Sequence, residues 1–352
     1  MILELPHIPG PEFRHQGTDY LYFGGTAYLG IQQSQDFRTL LAAAVQAHGS
    51  HWGASRLGNI RLQVYREAET RLAALAAAPA ACTVSSGYLA ARLVSEYFLG
   101  LGHPCFYAPG CHAALIPPGK QREADWENLA VRFGAAQEQE RPPVLFADAL
   151  EVTDRPRHLK EILEGFAARR GILVADDSHG LGLIGSNGFG TYTALEGMGF
   201  RETLVCASMG KAMGITAGLV LGPAHRLQTL QDSEIFSGAS PAPPASLAAF
   251  LEAEAAGLYT RQQKALQDLL SLVEPKTLPP GMGYKAGYPV LAFQNPALAA
   301  YLFAQNVLIT HFEYPADGTP ASPSRIVLTA AHQPVHLERL SGLLRKFNKT
   351  QA

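Results

Sequence analysis

Two short apolar runs constrain this chain more than anything else in it. Ile172–Ala175 stops abruptly at Asp176 and Asp177, and Leu204–Ala207 stops at Ser208. Brief runs of this kind, ending in glycine and polar residues, suit strands buried on both faces, as in a parallel sheet covered by helices. Open sheets of that class place their ligands beyond the carboxyl ends of the strands. The expectation is an α/β chain in which Asp176, His179 and Lys211 meet at one rim.

Lys211 lies in Gly210-Lys211-Ala212-Met213-Gly214. Glycines leave room for a flat aldehyde cofactor to reach the amine and form a Schiff base. Such a cofactor needs a carboxylate against its pyridine nitrogen, so that the ring stays protonated and accepts electrons; Asp176 is the candidate. Taken singly, neither residue decides the matter. A loop lysine is commonly a solvated charge and a strand-end aspartate a cap or turn residue.

The combination is more specific. Asp176-Asp177-Ser178-His179-Gly180-x-Gly182, followed by Ser208-x-Gly210-Lys211-x-x-Gly214, resembles the α-oxoamine synthase family of pyridoxal-phosphate enzymes. The resemblance runs from about Tyr20 to about Phe347 and is weakest between Gln121 and Pro143. It implies the aspartate-aminotransferase-like fold, with a seven-stranded, mostly parallel sheet in a large domain and a smaller C-terminal α/β domain. Domain limits are expected at 1–40 (arm and strand), 41–240 (cofactor domain) and 241–352 (C-terminal domain).

The resemblance also implies roles. Lys211 holds pyridoxal 5'-phosphate, Asp176 pairs with the ring nitrogen, His179 bonds the ring oxygen, and His112, in Cys111-His112-Ala113-Ala114-Leu115, stacks on the ring face. Ser86, Gly87 and Tyr88 are expected at the phosphate, with Ser208. Here the residues offer support of their own, because Cys82–Val84 leads through Ser-Ser-Gly into a helical run, and free N–H groups at a helix start attract anions. An ordinary strand-to-helix turn would look the same. Ser237, in Ile235–Pro244, is expected to reach the phosphate of a neighbouring subunit, which implies a homodimer with shared sites; the alternative is a plain Pro-rich linker. Arg325, opening Arg325-Ile-Val-Leu-Thr-Ala-Ala-His332, is expected to bind the amino-acid carboxylate in a planar bidentate fit that lysine lacks. A surface arginine at a strand edge is the alternative.

The implied reaction condenses an amino acid with an acyl-CoA to an aminoketone, with an aminotransferase giving a 2-oxo acid as the alternative. A hydrolase using Asp176, Asp177 and His179 as metal ligands lacks further ligands at recognisable spacing. A silent binding protein on the same fold is a further reading, since fold and function separate. Three features depart from the family. Glu151 stands where members carry a serine against the cofactor's phenolate, so it is expected either to face out or to change the chemistry. Tyr65 replaces a common histidine, and a helix usual before Tyr20 is missing.

Composition narrows the partners. The 352 residues are 47% hydrophobic and 16% charged with net charge −2, enough for a large core and with no basic field for nucleic acid or anionic lipid. Cys82, Cys105, Cys111 and Cys206 have no paired metal spacing, and together with the absence of a leader-like Met1–Gly10 they point to a reducing, cytoplasmic setting. Helices are expected over Phe37–His48, Leu62–Ala78, Tyr88–Leu99, Arg155–Arg170, Ala245–Val273 as one long stretch, Pro296–Gln305 and Val335–Phe347, with strands near Val144–Asp148, Tyr288–Phe293, Val307–His311 and Ile326–Thr329. Met1–Gly17 is expected to be an arm.

Overall fold

The computed structural model describes residues 2–151, 156–166, 169–185, 187–311 and 323–351. In chain order it begins with β1 (Glu12–His15) and β2 (Thr18–Phe23), then α1 (Gln35–His48), α2 (Gln63–Ala76), β3 (Ala80–Val84), α3 (Gly87–Gly100) and β4 (Cys105–Tyr107). It continues through α4 (Trp126–Ala136), β5 (Val144–Asp148), the two-residue pair β6 (Leu150–Glu151) and β7 (Arg157–His158), and α5 (Leu159–Ile162). Next come β8 (Ile172–Asp176), α6 (Tyr192–Glu196), β9 (Glu202–Ser208), β10 (Gly218–Gly222), α7 (Ala224–Gln231), α8 (Glu234–Gly238) and α9 (Pro244–Ala255). The C-terminal part holds α10 (Leu258–Leu270), β11 (Gly283–Tyr284), β12 (Val290–Phe293), α11 (Pro296–Ala304), β13 (Val307–Ile309), β14 (Ser324–Val327) and α12 (Pro334–Gln351).

The chain groups into two compact units. One holds Asp36–Glu151 and Arg157–Leu258 around a sheet of order β3-β10-β9-β8-β5-β4. Strands β4, β5, β8 and β9 are mutually parallel, while β10 runs antiparallel to both β9 and β3. Every residue of β8 and β10 is buried, which explains their unbroken apolar character. Because β3 shares the direction of β9, the ends of β3, β5, β8 and β9 open on one rim.

Among the described residues this sheet has six strands, one fewer than expected. Where a further strand would flank β4, Glu123 donates its N–H to Tyr107 O at 2.8 Å. Pro117-Pro118-Gly119 lies just upstream, and proline has no N–H to give a ladder. The helix expected over 155–170 is also much shorter. Residues 157–158 pair with Leu150–Glu151 as β7 instead, α5 spans four residues, and Gly165 turns at φ 79°; residues 155, 167 and 168 lie outside the described ones. The long helix expected at Ala245–Val273 is two, because Gly257 adopts φ 69° between α9 and α10.

The second unit holds the chain up to Gln35 and from Tyr259 onward. The segment expected to be an arm contributes β1, which pairs antiparallel with β2, while β2 pairs in parallel with β13. N- and C-terminal segments therefore fold together here. His332 stacks on Phe23 with ring centroids 4.4 Å apart and meets Tyr22 O through Nε2 at 3.0 Å, tying α12's approach to β2. The boundary on the C-terminal side falls between Leu258 and Tyr259, whereas the sequence reading puts it at 240.

Candidate active site

The rim is built from strand ends. Asp176, the last residue of β8, is 9% exposed and accepts the Ser178 N–H through Oδ1 at 2.9 Å. Ser178 Oγ in turn accepts the Ser208 N–H at 2.8 Å, which locks the loop after β8 to the end of β9. That cross-link sets the spacing between His179 and Lys211. Lys211 Nζ lies 3.0 Å from His179 Nε2. The lysine turn closes on itself: Met209 N–H reaches Ala217 O at 2.9 Å, Ile215 N–H reaches Met209 O at 3.1 Å, and Gly214 adopts φ 70°.

His112 comes to the same rim from the loop after β4. Its backbone N–H donates to Asp148 Oδ1 at 2.8 Å, and its Nδ1 accepts the Ala114 N–H at 3.2 Å, so Nε2 carries the proton of the neutral ring. Burial holds the imidazole below its usual value; the Asp176 charge opposes this, and the Lys211 and Arg122 charges reinforce it. Those opposing effects identify Asp176 and Lys211 as electrostatic neighbours of His112. Beside them, burial pushes the Asp177 carboxyl up to about 7.

A second feature of the rim is a close approach. A Cβ on Gly87 would lie 2.5 Å from Ser208 Cβ and 2.6 Å from its Cα, so only glycine lets the start of α3 sit against the end of β9. Ser86 caps that helix by accepting the Leu89 N–H at 3.1 Å. The N–H groups of Gly87 and Tyr88 precede any intrahelical acceptor and lie at the positive end of a 14-residue helix. Tyr88 itself is 58% exposed. The donor set suits an anion, and the lysine and carboxylate beside it suit a flat aldehyde with a basic ring nitrogen.

A family model described as "Aminotransferase class I and II" matches residues 154–343, more than half of the chain. The chain belongs to that family. Within it the chain is an α-oxoamine synthase-type, pyridoxal-phosphate-dependent enzyme, as its motifs imply. It is 27% identical to an 8-amino-7-oxononanoate synthase of Hahella chejuensis, over 96% of this chain and 89% of that one. It is 28% identical to another from Aromatoleum aromaticum, over 96% and 91%. Its fold matches serine palmitoyltransferase from S. paucimobilis (TM-score 0.78, 18% identity, 98% and 92% covered) and 8-amino-7-oxononanoate synthase from Francisella tularensis (0.70, 18%, 94% and 98%).

For this member of the aminotransferase class I and II family, the residues expected from sequence fall into two clusters and two separate positions. Asp176, His179, Lys211 and His112 lie together, and Ser86, Gly87 and Ser208 are linked through the Gly87 contact. Ser237 lies in the short helix α8, its Oγ donating to Glu234 O at 3.2 Å while its carbonyl accepts Ser55 Oγ at 2.9 Å. Arg325 belongs to the second unit, in β14, exchanging backbone bonds with Thr310; its buried Nε has no acceptor among the described residues.

Glu151 does not face out. It is 6% exposed, with Oε2 2.8 Å from Arg157 and Oε1 accepting Trp126 Nε1–H at 3.1 Å. Its charge is matched by that arginine, so the departure from serine has its own local partners. Tyr65 is likewise absorbed into packing, donating to Ala242 O at 2.8 Å beneath the Arg56 guanidinium. Sequence reasoning missed Asp148 and Arg122. The first carried a visible signal, since Val144–Asp148 repeats the apolar-run-to-aspartate pattern of Ile172–Asp176. The second, whose Nε donates to Cys111 O at 2.8 Å, carried none.

Proposed function

We propose that the chain condenses an amino acid with an acyl-CoA to give an aminoketone. The observation that supports this most is the Lys211–His179 contact of 3.0 Å at a rim shared with Asp176 and His112, in a chain aligned along 96% of its length with 8-amino-7-oxononanoate synthases. Pyridoxal phosphate supplies an electron-accepting ring that stabilises negative charge on the substrate α-carbon.

In this reading Lys211 would hold the cofactor through its aldehyde and Asp176 would keep its ring nitrogen protonated. His179 and His112 would be its further partners at the rim. Gly87 and Tyr88 offer backbone N–H groups to the phosphate, with the Ser86 and Ser208 hydroxyls beside them. Arg325 takes the amino-acid carboxylate, for which its buried Nε, without an acceptor among the described residues, is suited. Lys211, whose Nζ lies 3.0 Å from His179 Nε2, would be the base for the α-proton when its amine is not engaged with the cofactor. Ser237 reaches the phosphate of a second copy, so the working form is a homodimer. The four free thiols fit a cytoplasmic enzyme.

Incubation with pyridoxal phosphate, borohydride and a mass-spectrometric digest tests the cofactor assignment: the label belongs on Lys211, and K211A must lose it. Product analysis with common amino acids and acyl-CoAs of several chain lengths tests the reaction. Free CoA with an aminoketone supports the proposal, whereas a 2-oxo acid formed without any CoA release makes the chain an aminotransferase.

A further inference from the structure

Asp148 and Asp176 end neighbouring parallel strands and are direct register partners. Partners in a ladder project from the same face, so the two carboxyls stand side by side. The ladder continues past them, because Ala149 N–H donates to Asp176 O at 2.8 Å. Asp148 Oδ1 takes the backbone N–H of His112, 36 residues earlier in the chain, at 2.8 Å. Since the His112 ring is oriented by the Ala114 N–H on its Nδ1, the carboxyl that holds this backbone also sets where the ring faces. From the other side, Arg122 Nε holds Cys111 O at 2.8 Å.

The charges around Asp148 come from several elements. Asp176 on β8 and Glu151 on β6 disfavour its anion, Lys211 after β9 favours it, and the buried thiols of Cys111 and Cys206 flank the pair. Burial, then the Asp176 charge, push the Asp148 carboxyl well above the usual range. Glu151 is already committed to Arg157. A carboxyl desolvated beside a second carboxyl keeps its proton more readily, and Asp148 is so raised.

We propose that Asp148 is the positioning residue of the rim: its carboxyl, standing beside Asp176 across the ladder, anchors the His112 loop. This rests on reading the rim as the pyridoxal-phosphate site, where His112 faces the ring and Asp176 its nitrogen. Asparagine copies a neutral acid in shape, acceptor and donor, and is therefore the diagnostic substitution.

The test uses cofactor-free protein first. A native acid with a raised value stabilises the fold fully below the unfolded value of about 3.9 and loses that contribution as pH rises through the native value. D148N is expected to fold, to keep the His112 ring signal in a ¹⁵N-histidine spectrum, and to shrink the drop in Tm between pH 5 and 8 by about 2 °C or more. D148L, which lacks the acceptor, is expected to move the His112 signal and to weaken pyridoxal-phosphate binding about tenfold, against less than about threefold for D148N. The proposal is overturned if D148N fails to fold, displaces the His112 signal, or leaves the wild-type pH profile unchanged. Should D148L not fold, the two D148N apoprotein measurements decide alone. A wild-type chain that takes up no pyridoxal phosphate sinks the functional reading, whereas the apoprotein measurements judge Asp148 independently of it.

Discussion

At the scale of the residue, a buried acid sets part of the response to pH. Asp177 Oδ2 accepts the Thr191 N–H at 2.7 Å, yet Oδ1 has no partner among the described residues, and glycines at 180 and 190 let the backbone crowd around the carboxyl. Burial raises its value to about 7, against about 3.9 in an unfolded chain. The native state therefore holds a proton that the unfolded state has lost. Its stabilising contribution is complete below about pH 4 and disappears as pH rises through about 7, an effect on the order of 4 kcal/mol. D177N is expected to flatten the stability curve between pH 5 and 8, which urea unfolding at several pH values measures. G180A is expected to destabilise the protein by about 1–3 kcal/mol, since a Cβ there would collide with Asp177 Oδ1.

Arg325 makes a second residue-scale prediction. If its guanidinium receives the amino-acid carboxylate, R325A loses about 10- to 100-fold in kcat/KM for the amino acid. The loss is carried by KM if the contact is equal in ground and transition states, and R325K restores little of it, because an ammonium cannot reproduce a planar fork. Steady-state kinetics against amino-acid concentration checks this. An unchanged kcat/KM for the amino acid in R325A would remove the residue from the site.

At the scale of the element, α3 and β9 are joined through one glycine. Ser208 closes β9 and meets Gly87 at the start of α3, and Gly218 of β10 leaves no room for a Cβ against the Ser86 carbonyl. Adding a methyl at position 87 forces the helix start away from the strand end. G87A is expected to cost about 1–3 kcal/mol in stability and to weaken pyridoxal-phosphate affinity about tenfold or more, seen in an absorbance titration. A change in stability with undiminished affinity would show that the helix start is not the phosphate cradle. The same elements explain why sequence patterns were readable here. The strand-to-helix turn built on Ser-Ser-Gly and the strand-to-strand turn built on Gly-Lys-Ala-Met-Gly are local, and their torsional requirements are written in consecutive residues. The α9–α10 break was harder, because Ala-rich sequence on both sides of Gly257 favours helix and one glycine is often tolerated within it.

At the scale of the whole molecule, the proposed homodimer predicts a sedimenting species of twice the 37.7 kDa chain mass. If Ser237 reaches a neighbour's phosphate, S237A lowers cofactor affinity without changing that mass. No helix among the described residues is long and apolar enough to cross a membrane.

The amino-acid order alone determined β5, β8 and β9, because fully buried parallel strands must be continuously apolar, and it determined the identities of the lysine, aspartate and histidines at the rim, because those turns demand glycine next to chemistry-bearing side chains. What only the tertiary structure decided was who stands beside whom. Asp148 meets His112 across 36 residues, Glu151 finds Arg157 and Trp126 instead of solvent, β2 takes β13 as its parallel neighbour, and the edge of β4 stays short of a further strand. Parallel partners are joined by long crossovers, so their register is set by packing of the layers between them, and no local run of residues encodes it.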